Sequence, residues 1–317
     1  MTTLQAITAP QLDAGEEWID TDAVRRLLEA HLTTTSATQK VVADGIGVSA
    51  AAISQFRAGK YAGDTKGLAR KLAAYLATST ARSNVQVSVG FVETSIARGV
   101  LSAVRYAEIM GRIVCVMGAP GMGKTTSLKE YCRRNPSVLY LSAHQGVTGP
   151  KAFVEELAEV LKVSGRGTLR VQLKAVVDTL RGTNRLVIVD EAQKLNAPVL
   201  ETLRDIHDQT GVGMVLAGNL EIHPLLQRRG AGQFAQLLSR IAVQHRVPDE
   251  VPPEDVRQLS EASVGSIDNQ AVEVLTALAN APAAGLRRAA NVLPALVGLG
   301  GTVTADDVRK ATRMVGR

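Results

Sequence analysis

In unbroken order, Gly118, Ala119, Pro120, Gly121, Met122, Gly123, Lys124 and Thr125 place three glycines, an ammonium and a hydroxyl within eight positions. Such a run can wrap a chain of phosphates. Backbone N–H groups close around the oxygens only where glycine leaves room, at Gly121 and Gly123, and the lysine reaches the outer phosphates. The Thr125 hydroxyl suits Mg2+, and Thr126 follows at the same helix start, so Gly118 through Thr126 form the expected nucleotide-binding set. A second constellation is Asp190 and Glu191, which end the apolar run Leu186, Val187, Ile188 and Val189. Asp190 is expected to hold Mg2+ together with Thr125, and Glu191 to act as general base toward an attacking water. A strand ending in two acids says little by itself. Standing 65 residues beyond Thr125 with one further apolar run between, it completes a site for ATP and Mg2+.

For that chemistry the cradle must follow a strand and open a helix, and the acids must end a neighbouring strand. From Phe91 to about Val247 the pattern fits: apolar runs at Ile113 to Met117, Val138 to Leu141, Leu186 to Val189, Val212 to Ala217 and Ile241 to Val247 alternate with amphipathic helical stretches such as that holding Leu128 and Tyr131. This predicts an α/β P-loop core with a parallel five-stranded sheet. After Pro248, Pro252 and Pro253 only helical patterns remain, which predicts a C-terminal helical bundle. Ahead of the core, Ala23, Leu27, Leu28, Leu68, Leu72 and Leu76 recur at helical spacing. The expected division is a flexible terminus over 1–20, an all-α domain over 21–78, a polar linker over 79–90, the core over 91–248 and the bundle over 249–317.

Within the all-α domain, residues 38–57 read as a helix-turn-helix. Val41, Val42 and Ala43 offer an apolar face, Gly45 to Gly47 a turn, and Ser49 a cap for a second helix whose Ile53 packs inward. That second helix would lie in the major groove of double-stranded DNA. Gln39, Lys40, Ser49, Ala51, Ser54, Gln55, Arg57 and Lys60 are the candidate DNA contacts; on the second helix only Gln55 and Arg57 can make bidentate contacts to a base. So small-residued a face predicts weak sequence preference, with phosphate contacts supplying salt-dependent affinity. Charge agrees: residues 36–82 hold seven basic and two acidic side chains, in a chain of net charge +6.

Composition excludes several classes. Hydrophobic residues are 45% and charged ones 21%, which suits a soluble globular chain. Aromatics are 3%, too few to stack unpaired bases along a single strand. Cys115 and Cys132 lack metal-ligand spacing and are expected to be reduced. No basic start followed by an apolar stretch and no long uncharged run is present, so the expected location is the cytoplasm, with no membrane partner.

Three further positions extend the set. The run Val212 to Ala217 leads into Gly218 and Asn219, where a polar side chain could orient water beside Glu191, as at the sensor-1 position of AAA+ ATPases; a helix cap is the plainer reading. Arg240, before the last apolar run, looks like an arginine finger donated to a neighbouring subunit, and Arg287 stands where sensor 2 is expected. Arg228, Arg229, Arg246 and Arg288 compete for these roles, and any of them can be a surface arginine.

Taken together, a Cro-like helix-turn-helix, Phe91 to Thr94, a lone P-loop, the Leu186 to Ala192 segment, Asn219, the stretch ending at Arg240 and a tail bearing Arg287 resemble the B transposition protein family of Mu-like transposing phages. The likeness spans nearly the whole chain and is densest from Phe91 to Glu191. It implies an AAA+ ATPase that assembles as a helical filament or ring on double-stranded DNA in its ATP state, delivers that target to a transposase, and is released by hydrolysis. It assigns nucleotide chemistry to Lys124, Asp190 and Glu191, with Asn219 and Arg240 sensing or completing it. Two other readings stand beside it: an ATP-regulated helix-turn-helix transcriptional regulator, and a helicase-loader type of replication ATPase.

Overall fold

The computed structural model describes residues 19–35, 37–87, 90–164, 166–219 and 239–315. The chain divides into two compact units, Met1–Gly90 and Phe91–Arg317.

The described residues of the first unit form four helices: α1 (Thr21–Thr35), α2 (Gln39–Ile46), α3 (Ala50–Arg57) and α4 (Thr65–Val87). Their ends are set by single residues. Thr38 caps α2 by accepting from Val41 N–H, Gly47 stops it at φ +70°, and Ser49 caps α3 by accepting from Ala52 N–H. Leu28, Val42, Ile53, Phe56 and Leu72 are fully buried in one cluster. Val41, expected on the apolar face with Val42 and Ala43, is instead 54% exposed, because consecutive helical residues point about 100° apart and three in a row cannot all face inward. The polar stretch expected as a linker from 79 is helical as far as Val87. Residues 79–87 contain neither Gly nor Pro, so nothing in them stops α4 before Val87.

The second unit is a parallel sheet between helices. Its strands are β1 (Ile113–Met117), β2 (Leu139–Ser142), β3 (Leu186–Asp190), β4 (Gly213–Gly218) and β5 (Ile241–Arg246), in the order β2-β3-β4-β1-β5. Every strand pair is parallel. Strand alternation sorts the core into two faces. Val114, Val116, Ile188 and Val215 join one cluster, while Cys115, Val187, Val189 and Leu216 join the other. With both faces covered, β1, β3 and β4 are buried throughout, whereas edge strand β5 alternates between half-buried and exposed.

Helices α7 (Pro150–Val160), α8 (Leu169–Leu180) and α9 (Ala197–Thr210) supply the second cluster, and α5 (Ser95–Met110) lies on the first. The tail, α10 (Pro253–Val264), α11 (Asn269–Ala279), α12 (Leu286–Val292) and α13 (Ala305–Val315), packs into that same first cluster through Val256, Leu275, Ala289 and Val308. It therefore shares the core of the sheet. A buried carboxylate joins them: Asp255 on α10 accepts from the N–H groups of Ser95 and Ile96 and from the Ser95 hydroxyl, at 2.7, 3.1 and 3.0 Å, satisfying donors at the start of α5.

Candidate nucleotide-binding site

The carboxyl ends of β1, β3 and β4 lie side by side, the place where open parallel sheets hold ligands. β1 runs into Gly118 and the glycine loop, which opens α6 (Lys124–Arg134). Gly121 and Gly123 take φ of +80° and +87°, a region that side chains strain to enter. A Cβ on Gly121 would also stand 2.5 Å from the Ala284 carbonyl. Met122 is buried in the first core cluster, so its side chain anchors the loop to the core. Lys124 is 8% exposed, and its Nζ donates to the carbonyls of Gly118 and Ala119 at 2.7 and 2.9 Å. Burial pulls its pKa down, Asp190 and Glu191 oppose that, and Arg287 adds to it. A buried ammonium resting on carbonyls beside positive-φ glycines is a donor set suited to phosphate oxygens.

β3 brings the acids to the same point. Thr125 Oγ1 donates to Asp190 Oδ2 at 2.7 Å, and the Tyr140 hydroxyl donates to the same oxygen at 2.9 Å. Asp190 Oδ1 accepts from Glu191 N–H at 2.8 Å, and the residue is 2% exposed. Tyr140, on β2, holds its proton more tightly than an ordinary tyrosine, first through burial and then through the adjacent carboxylate. A hydroxyl and a buried carboxylate already in contact are the pair a magnesium ion would take. Glu191 follows at φ +56°, a left-handed backbone that costs a non-glycine residue about 1–2 kcal/mol. Its Oε2 accepts from Gln193 Nε2 at 2.8 Å and pairs with Lys194 Nζ at 3.1 Å. At the end of β4, Asn219 N–H donates to Gln193 Oε1 at 3.3 Å.

The tail closes against the loop. Gly285, at φ +68°, sits so near it that a Cβ there would meet the Gly121 carbonyl carbon at 2.7 Å, and Arg287 N–H donates to Gly121 O at 3.1 Å. Arg287 thus lies by the cradle. Arg240 does not: its guanidinium pairs with Asp208 at 3.0 Å, a carboxylate shared with Arg204. Arg246 pairs with Asp249 and, opposite Met117 in register, stands at the cradle end of β5, while Arg240 precedes the other end. Arg228 and Arg229 lie outside the described residues. Tyr140, Gln193 and Lys194 escaped the reading of the sequence because none belongs to a local motif, and Gly285 drew notice only as the residue before Leu286 and Arg287.

On the first unit, Lys40, Ser49, Ala51, Ser54, Gln55 and Lys60 are exposed and Gln39 is half-buried. Arg57 departs from its expected freedom. Its Nε and Nη2 form a bidentate pair with Glu29 at 2.6 and 2.8 Å, which occupies the edge that was to read a base.

Residues 110–226 match the model of an AAA domain family. The chain is 31% identical to the ATP-dependent target DNA activator B of Escherichia phage D108 and equally to that of phage Mu, in each case over 92% of this chain and 93% of the relative. The chain belongs to this transposition protein B family. It is also 28% identical to the Mu-like prophage FluMu DNA transposition protein B of Haemophilus influenzae, over 79% of this chain and 88% of the relative. Among solved structures, the Thermotoga maritima RuvB Holliday junction branch migration motor aligns over 69% of this chain and 68% of its own, at 16% identity and a TM-score of 0.43. The protein is an AAA+ ATPase with a nucleotide-binding core. No helix among the described residues is long and apolar enough to cross a membrane.

Proposed function

We propose that this chain is an ATP-dependent activator of target DNA in transposition, acting in the host cytoplasm: with MgATP bound it assembles along duplex DNA with little sequence preference and presents that DNA to a transposase. The observation that carries the reading is the meeting of Thr125 and Asp190 beside the buried Lys124, in a family whose phage members are named for target DNA activation. In this reading the backbone of Gly118 to Thr126 cradles the phosphates of ATP, Lys124 turns from its two carbonyls to the outer phosphates, and Thr125 and Asp190 hold Mg2+. The metal ion neutralises phosphate charge when bound. Glu191 takes a proton from the attacking water, Asn219 orients that water, and Arg287 watches the phosphates from the tail. Arg240 leaves Asp208 to reach the nucleotide of an adjoining subunit, making assembly and hydrolysis depend on each other.

DNA contact falls to the exposed face of α2 and α3 and the turn after α3, where Lys40 and Lys60 engage phosphates and Gln55 faces the bases. Many weak contacts arrayed by a homo-oligomer give avidity without readout. With Arg57 occupied by Glu29, little supports a regulator reading one operator.

The test compares ATP turnover and duplex gel shifts. Lys124→Ala is expected to abolish ATP-dependent DNA binding, and Glu191→Gln to leave a stable DNA-bound assembly that turns over slowly. Equal duplex binding by the wild type with and without ATP would remove the proposal.

A further inference from the structure

Beside the acids, one neutral side chain joins two parts of the site that no motif connects. Gln193 lies on the 3-10 turn Ala192–Lys194 directly after β3. Its amide reaches both ways: Nε2 donates to Glu191 Oε2 at 2.8 Å, while Oε1 accepts from the Asn219 backbone N–H at 3.3 Å. The amide cannot be turned round. A backbone N–H only donates and an ionised carboxylate only accepts, so the oxygen must face Asn219 and the nitrogen Glu191. Lys194 Nζ adds a second contact, 3.1 Å, to the same Oε2. Both side-chain tethers therefore grip one oxygen of the carboxylate, which leaves Oε1 as the oxygen that can face a water. Glu191 has a left-handed backbone, and Lys194 N–H closes the turn onto the Glu191 carbonyl at 2.9 Å.

We propose that Gln193 is a positioning residue for ATP hydrolysis: anchored on the end of β4, it holds the Glu191 carboxylate by one oxygen and thereby presents the other to the attacking water. This rests on the reading of Glu191 as general base. A carboxylate on a flexible chain samples many directions, and a fixed donor at one oxygen narrows them to a near-attack geometry. Because the anchor is the backbone of Asn219, a shift at the end of β4 moves the base with it.

The experiment is steady-state ATP hydrolysis by the full chain with duplex DNA, comparing Gln193→Ala, Gln193→Glu and Glu191→Gln, each with KM for ATP, ATP-dependent duplex binding and a melting curve. Both Gln193 variants should lose roughly 10- to 100-fold in kcat while KM and duplex binding stay near wild type. Gln193→Glu separates positioning from filling. It is nearly isosteric but offers no donor to Glu191 and adds a like charge, so it should be no better than Gln193→Ala, whereas a space-filling role would leave it near wild type. Wild-type kcat in Gln193→Glu, or joint loss of ATP binding and turnover in both variants, overturns the proposal. If Glu191→Gln turns over normally, the general base itself is misassigned; if it fails while both Gln193 variants work, the base stands and the tether alone falls.

Discussion

Asp190 and Lys60 mark two extremes of this chain. In the cradle, Asp190 is 2% exposed and accepts hydrogen bonds from Thr125, Tyr140 and Glu191, and Lys124 is spent on two carbonyls. In the first unit the groups proposed to meet DNA, Lys40, Gln55 and Lys60, stand exposed, and the side chain most suited to reading a base is tied to Glu29. Buried polar groups must be paired in one arrangement, since each unpaired one costs about 1–3 kcal/mol. Exposed charges act by number and distance and can be exchanged for others nearby. The first region is therefore expected to respond to single substitutions steeply, and the second by degrees.

Arg240 tests that contrast most severely, since it is half exposed yet lies in the cradle's unit. As a finger, Arg240→Ala should cut turnover by roughly 10³-fold or more while nucleotide still binds; unaltered turnover would return it to the surface ion pairs, worth about 0–1 kcal/mol. Gly121→Ala should destabilise the nucleotide-free protein by about 1–2 kcal/mol through its positive φ alone, with the Ala284 carbonyl adding to the cost; an unchanged melting temperature would mean that loop and tail yield easily. Tyr140→Phe removes one of two donors to Asp190 Oδ2 and should cost about 1 kcal/mol by denaturant titration. Were it neutral, Thr125 would suffice to hold the carboxylate.

On the other side, the double change Lys40→Ala and Lys60→Ala should weaken duplex binding without altering turnover measured in the absence of DNA. The slope of log affinity against log salt should fall by about 2, roughly one unit for each phosphate that is no longer neutralised; an unchanged slope would put the DNA elsewhere. The gentlest effect is on pH. In the folded protein burial holds Lys124 below its ordinary value of 10.5, so unfolding takes up a proton at alkaline pH. This group's contribution to stability should therefore rise as pH climbs through the folded value and level off near the unfolded one, and Lys124→Met should flatten that rise.

The glycine loop and the two acids could be recognised from the chain because each is contiguous, and backbone chemistry at a strand end depends on immediate neighbours. The order of the sheet puts β4 between β1 and β3, so Asn219 follows the strand that separates the glycine loop from the acids. The polar run after Thr78 misled because composition distinguishes a linker from a helix only where Gly or Pro interrupts it, and residues 79–87 hold neither. Arg57 misled for a different reason, as its partner Glu29 lies 28 residues earlier on another helix.

By itself, then, the order of residues determined most of the elements and set the glycine loop and the two acids at strand ends, since periodicity, capping and glycine conformation are local properties. Only the packed structure decided that Tyr140 would share Asp190 with Thr125, that Gly285 would press on the cradle, that Gln193 would span Glu191 and Asn219, and that Arg240 would rest on Asp208. These meetings join residues from separate strands and helices. Sequence spacing does not encode the distance between them, because it is set by how the sheet and its covering helices close on one core.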